Sequence, residues 1–80
     1  MKVEAIGRVR AVVGTLVVEL ERRVDVVAFD VGMAVRVGAK PSLDGTRPAE
    51  VRSVNREAGS VGLSRPVAKV GDTVWVLRSS

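Results

Sequence analysis

Val31-Gly32-Met33-Ala34-Val35-Arg36-Val37-Gly38 decides how this chain is read. The segment returns later as Val70-Gly71-Asp72-Thr73-Val74-Trp75-Val76-Leu77. In each copy a glycine supplies a turn geometry that other residues resist, and apolar positions then alternate every second residue. Val35 and Val37 share one face of a pleated strand, as do Val74 and Val76, while Arg36 and Trp75 point to the other face. Units of this kind build a small β-barrel or sandwich.

Working outward, residues 2–13 read as a first strand, with Val9, Ala11 and Val13 on one face and Arg8 and Arg10 on the other. Gly14-Thr15 turns the chain into a second strand over residues 16–20, where Leu16, Val18 and Leu20 alternate with Val17, Glu19 and Glu21. Arg22-Arg23 marks a further turn. Residues 24–29, β-branched and apolar apart from Asp25, read as a strand buried on both sides or a barrel corner, with Phe29 in the core. Residues 38–47 form the one clear loop, holding Pro41 and an Asp44-Gly45 turn pair. Residues 48–57 could be a helix capped by Thr46 and ended by Gly59; a strand is preferred, because Val51-Arg52-Ser53-Val54 echoes Val9-Arg10-Ala11-Val12. Residues 60–64 make a short strand, interrupted at Arg65-Pro66. The echoes continue: Val9 to Val51, Gly14 to Gly59 and Gly32 to Gly71 are 42, 45 and 39 residues apart. They suggest an internal pseudo-duplication.

Eighty residues make one domain, spanning 1–80. A chain of this size buries only roughly 60% of its unfolded surface. With no cysteine there is neither a disulfide nor a thiolate metal site. No apolar run reaches a membrane span, and the first residues lack a signal-peptide core, so a soluble, cytoplasmic protein is expected. The formal charge is +4, from 13 basic and 9 acidic residues, and lysine occurs only at Lys2, Lys40 and Lys69. Arginine makes planar two-pronged contacts with phosphate, so a basic protein of this composition suits nucleic acid as well as an ordinary solvated surface.

The residues resemble the β-barrel found as the second domain of translation GTPases of the elongation factor Tu type. In that family a Val-Gly-Asp-x-Val-x-Val-x-Gly segment is followed by a Val-x-x-Val strand and an Ala-x-x-Gly-Asp-x-Val-x-Val-x-Leu close. Here residues 31–38 fit the first segment, with Met33 where an acid is usual; residues 51–54 fit the middle strand, and residues 68–77, including Gly71-Asp72, fit the close. The likeness covers residues 31–77, while the first third matches only at Gly7-Arg8-Val9. It implies a closed six-stranded Greek-key barrel. It does not imply GTP hydrolysis, because the phosphate-binding G-x-x-x-x-G-K-[S/T] loop is absent.

Catalysis finds little support. Without histidine or cysteine the commonest general base, metal ligand and thiol nucleophile are missing. Ser42, Ser53, Ser60, Ser64, Ser79 and Ser80 have no histidine partner, and a Ser42–Lys40 pair reads as loop chemistry. Glu19 and Glu21 beside Arg22 and Arg23 read as a solvated face, and Asp72 as a turn residue bonding its own backbone. The expectation is therefore a non-enzymatic module with no cofactor and no metal. It would contact structured RNA (ribosomal or transfer) or a ribonucleoprotein, in a translation-related setting. Phosphate contacts are assigned to Arg8, Arg10, Lys40, Arg47, Arg52 and Arg56, and Trp75 is either core or a contact platform. The alternative is an adaptor barrel that docks on protein in an ATPase or RNA-modification assembly. No membrane partner is expected, and the oligomeric state is left open.

Overall fold

The computed structural model describes residues 2–40, 42 and 44–78. Pro41, Ser79 and Ser80 lie outside the described residues. Six strands form the molecule: β1 (Lys2–Val13), β2 (Val17–Leu20), β3 (Ala34–Gly38), β4 (Thr46–Asn55), β5 (Ser60–Leu63) and β6 (Thr73–Arg78). They close a barrel in the order β1-β2-β5-β4-β3-β6, with every neighbouring pair antiparallel. Residues 48–55 are thus strand, as preferred, and not helix. Among the described residues no helix is long and apolar enough to cross a membrane.

Alternation builds the core. Val18 and Leu20 on β2, Val35 and Val37 on β3, Val61 and Leu63 on β5, and Val74 and Val76 on β6 are all buried, together with Val9 and Val51. Arg36 and Trp75, one residue out of phase with these valines, face outward and are half-buried. Closure pairs both margins of the sheet, so no long edge is left to template association.

Residues 24–29 depart from the expected strand. They form a 3-10 helix, Arg23–Ala28, followed by Phe29 in extended backbone. Composition favours a strand here, but the burial has a period of three: Val26 and Phe29 are buried while Val24 and Val27 are exposed. The turn drives Phe29 into the barrel, where Gly7 leaves room for its ring; a Cβ at Gly7 would lie 3.5 Å from two ring carbons and 3.1 Å from Leu20 Cδ2.

The first strand also differs in phase. The register of β1 against β2 shifts between Val9 and Ala11, leaving Arg10 as an extra, exposed residue. A bulge of this kind advances the pleat by one residue. Val9 and Val12 therefore face the core, and Val13 is 53% exposed, so Val9, Ala11 and Val13 do not share a face. A further bulge falls between Ala5 and Gly7. These irregularities let one strand serve two neighbours, with residues 2–8 pairing β6 and residues 9–13 pairing β2.

β4 is built the same way. It pairs β3 over residues 46–50 and β5 over residues 51–55, with its register shift between Val51 and Ser53 at Arg52. The partners Val9↔Leu20, Ala11↔Glu19, Val12↔Val18 and Val13↔Val17 on β1 and β2 run parallel to Val51↔Leu63, Ser53↔Gly62, Val54↔Val61 and Asn55↔Ser60 on β4 and β5. The four glycines with positive φ fall into two matched pairs, Gly14 and Gly59 at 66° and 67°, Gly32 and Gly71 at 91° and 93°. The backbone N–H of Gly32 donates to Val51 O at 2.7 Å, as that of Gly71 donates to Val9 O at 2.9 Å. The two halves of the barrel thus use one pairing scheme.

Candidate binding face on β6, β3 and β4

Register places four outward positions in a row across the barrel: Ala5 on β1, Trp75 on β6, Arg36 on β3 and Pro48 on β4. Proline is accommodated there because β4 has no second neighbour at that point; β5 joins it only from Val51 onward. Both large side chains in the row are fixed. Trp75 Nε1 donates to Gly38 O at 3.2 Å. Arg36 Nε donates to Thr46 Oγ1 at 2.7 Å, and its terminal nitrogen donates to Thr46 O at 3.0 Å.

The same bonds tie in the loop between β3 and β4. Thr46 Oγ1 donates to Ser42 O at 2.6 Å, the Gly45 N–H donates to Ser42 Oγ at 3.0 Å, and the Ser42 N–H donates to Lys40 O at 2.8 Å. The relation between Ser42 and Lys40 is therefore one of backbone turn geometry. Gly38 allows this loop to fold back over the strand. A Cβ there would lie 2.9 Å from Gly45 C and Thr46 Cα and would collide with the Gly45 carbonyl oxygen. Lys40 packs over Gly45 in turn, since a Cβ at Gly45 would lie 3.1 Å from Lys40 Cβ. Trp75 is thus bonded to Gly38, Gly45 lies over Gly38, and Lys40 Cβ lies close to Gly45. Arg47 leaves the loop next to Thr46, opposite the buried Val37, and is exposed.

The other nominated arginines are distributed elsewhere. Arg8 on β1 pairs with Glu21 at 3.2 Å, and Arg10 at the bulge pairs with Glu19 at 2.6 Å. These pairs are solvated and of small energetic weight, yet each places a carboxylate where a phosphate would have to sit. Arg52 stands 3.6 Å from Glu50. Arg56, in the turn after β4, borders a shallow trough of about 510 Å³ on the opposite sheet, over Ser60 and Gly62. Register sets Arg47 on the side of the sheet that carries Val37 and Val74, away from Trp75, Arg36 and Pro48. The structure therefore brings Trp75 together with Arg36 and the loop that carries Lys40, and does not join them with Arg8, Arg10, Arg47 or Arg56.

Arg36 belongs to the face although it was not among the nominated contacts. The sequence sign was its place as the Trp75 counterpart in the repeated Val-x-Val unit. On the other side of the row, a groove of about 410 Å³ runs over Ala34, Pro48 and Ala49 between Arg52 and Arg65. Its far wall is tied by reciprocal bonds, the Glu50 N–H to Ser64 Oγ and the Ser64 N–H to Glu50 O, both at 2.9 Å. Among the described residues, no group of three His, Cys, Asp or Glu side chains is placed to hold a metal ion. Compared with protein-family models, with curated proteins and with solved structures, the chain finds no match in any of the three.

Proposed function

We propose that this protein is a non-enzymatic binding module that contacts structured RNA or a ribonucleoprotein through the face formed by β6, β3 and the β3–β4 loop. The observation that carries the reading is the fixed Trp75–Arg36 pair beside a fastened loop that carries Lys40 and runs into Arg47 at the start of β4. A π-surface next to cations is what nucleic acid requires: stacking for a base and neutralisation for the backbone. The net charge of +4 favours the encounter. The likeness of residues 31–77 to the translation-factor barrel supports a translation-related setting, and the roles first given to Arg8 and Arg10 pass to Arg36 and the loop.

The test is the double change Lys40→Glu, Arg47→Glu, compared with Arg22→Glu, Arg56→Glu, which alters the charge equally at residues outside the loop. The loop variant should weaken RNA binding and flatten the log–log salt slope by about one to two, near 0.9 for each duplex phosphate contact. Equal losses in both variants would remove the loop from the site.

A second reading rests on the groove over Ala34 and Pro48, whose apolar floor between arginines suits a protein partner in an adaptor assembly. A pull-down from cell extract separates the two, because nuclease treatment abolishes capture through RNA and spares a protein interface.

A further inference from the structure

We infer that the face takes unpaired nucleotides, a loop or single-stranded segment of RNA, with one base on the Trp75 indole and the adjoining phosphate on Lys40. This rests on the RNA-binding reading above and names the part of the RNA that is recognised. Within a duplex both faces of every interior base are occupied by neighbours, so away from the ends an aromatic side chain meets only phosphates, sugars and groove edges. An indole fixed on an outer sheet face is useful only to a base that has left its stack.

Three observations make Trp75 such a platform. Its Nε1–H is already spent on Gly38 O, so the ring is oriented before any ligand arrives and its remaining contact surface is the π-system. Its cross-strand neighbour on β1 is the exposed Ala5, whose methyl group is too small to cover an indole. On the loop side, Gly45 packs over Gly38, the residue to which the indole is bonded, and Lys40, close to Gly45 at its Cβ, is the exposed cation of that loop. Arg36, directly opposite Trp75, directs its guanidinium at Thr46 and holds the loop that carries Lys40.

Trp75 is the one tryptophan of the chain, so its emission reports on this contact without a label. The probes are an oligo(U) of about twelve nucleotides and a blunt RNA duplex of the same length, titrated in low salt. Oligo(U) should quench the emission saturably, and the duplex should bind more weakly without quenching. Trp75→Ala should weaken oligo(U) binding on the order of 5- to 150-fold, the range for loss of one stacked base, while Trp75→Phe restores most of it. Lys40→Gln should weaken oligo(U) binding and leave the emission of the free protein unchanged, which keeps the test decisive if Trp75→Ala fails to fold. If the duplex binds as tightly as oligo(U) and neither quenches, the inference falls and the RNA-binding reading stands. If neither probe binds, both fall.

Discussion

Replacing Gly38 by alanine separates two reasons for a glycine that are usually tangled. Gly38 is not among the residues with positive φ, so its backbone is open to any amino acid. With no clash, the change would stabilise by about 0.4–1 kcal/mol through the unfolded chain. The structure places a clash there. The added Cβ would sit 2.9 Å from two backbone atoms against 3.4 Å for ordinary contact, a shortfall of 0.5 Å, and the Gly45 carbonyl oxygen stands nearer still. Backbone cannot swing aside as a side chain can, so the whole return of the loop must lift. Overpacking of this kind costs about 1–3 kcal/mol. Lifting also strains the Thr46–Ser42 and Gly45–Ser42 bonds, each worth about 0.5–1.5 kcal/mol. The net loss should be about 2–4 kcal/mol, or a fall in Tm on the order of 10–25 °C for a domain of this size. The control is Gly14→Ala, where φ is +66° and nothing lies within 4 Å of the new Cβ, so only left-handed strain acts, about 1–2 kcal/mol. Thermal and urea unfolding followed by circular dichroism and Trp75 fluorescence would compare the two. A Gly38→Ala protein as stable as the wild type, or more stable than Gly14→Ala, would refute the packing argument.

Phe29→Ala empties the space beside Gly7 and should cost about 3–5 kcal/mol by urea unfolding, whereas Val27→Ala on the exposed side of the same 3-10 turn should stay within about 0.5 kcal/mol. Gly71→Val, at φ +93° in open space, should cost about 1–3 kcal/mol from backbone strain alone, and Gly32→Val a similar amount; thermal melts of the pair check this. A double-mutant cycle on Arg10 and Glu19 should return a coupling of only about 0.2–1 kcal/mol, shrinking further in 1 M salt because both side chains reach solvent. Arg36→Met keeps most of the stem and removes the bonds to Thr46, so hydrogen exchange at Ser42, Gly45 and Thr46 should speed up while the β2 and β5 amides keep their protection.

The parts that were legible in the sequence are those where a period of two runs undisturbed. Val35–Arg36–Val37 and Val74–Trp75–Val76 give the core face and the outward face directly, and Gly32 and Gly71 mark the turns that precede them. The bulge at Arg10 has no such sign. An inserted residue leaves composition unchanged and only moves the pleat, so the faces of Ala11, Val12 and Val13 were misassigned. Residues 24–29 misled for a different reason. Their β-branched content says strand, yet the chain must turn sharply there to push Phe29 beneath Gly7, and only the three-residue spacing from Val26 to Phe29 marks it. For the candidate site, Trp75, Lys40 and Arg47 were visible as residue types. That Gly38 lets the loop fold down beside Trp75, and that Glu19 and Glu21 occupy Arg10 and Arg8, depends on strands that meet only in three dimensions.

The place of β6 between β1 and β3 has a consequence for synthesis. The sixth strand to be made is the one that shuts the barrel, joining the first strand to the third. Until residues 73–78 emerge from the ribosome, β1 and β3 stand as two unpaired margins rich in valine, able to recruit a neighbouring nascent chain as readily as their proper partner. At roughly 5–20 residues per second the exposure is brief, but ribosomes queued on one message hold several such chains side by side. A frameshift or stop that removes β6 would make that state permanent, leaving two open seams instead of merely subtracting one strand.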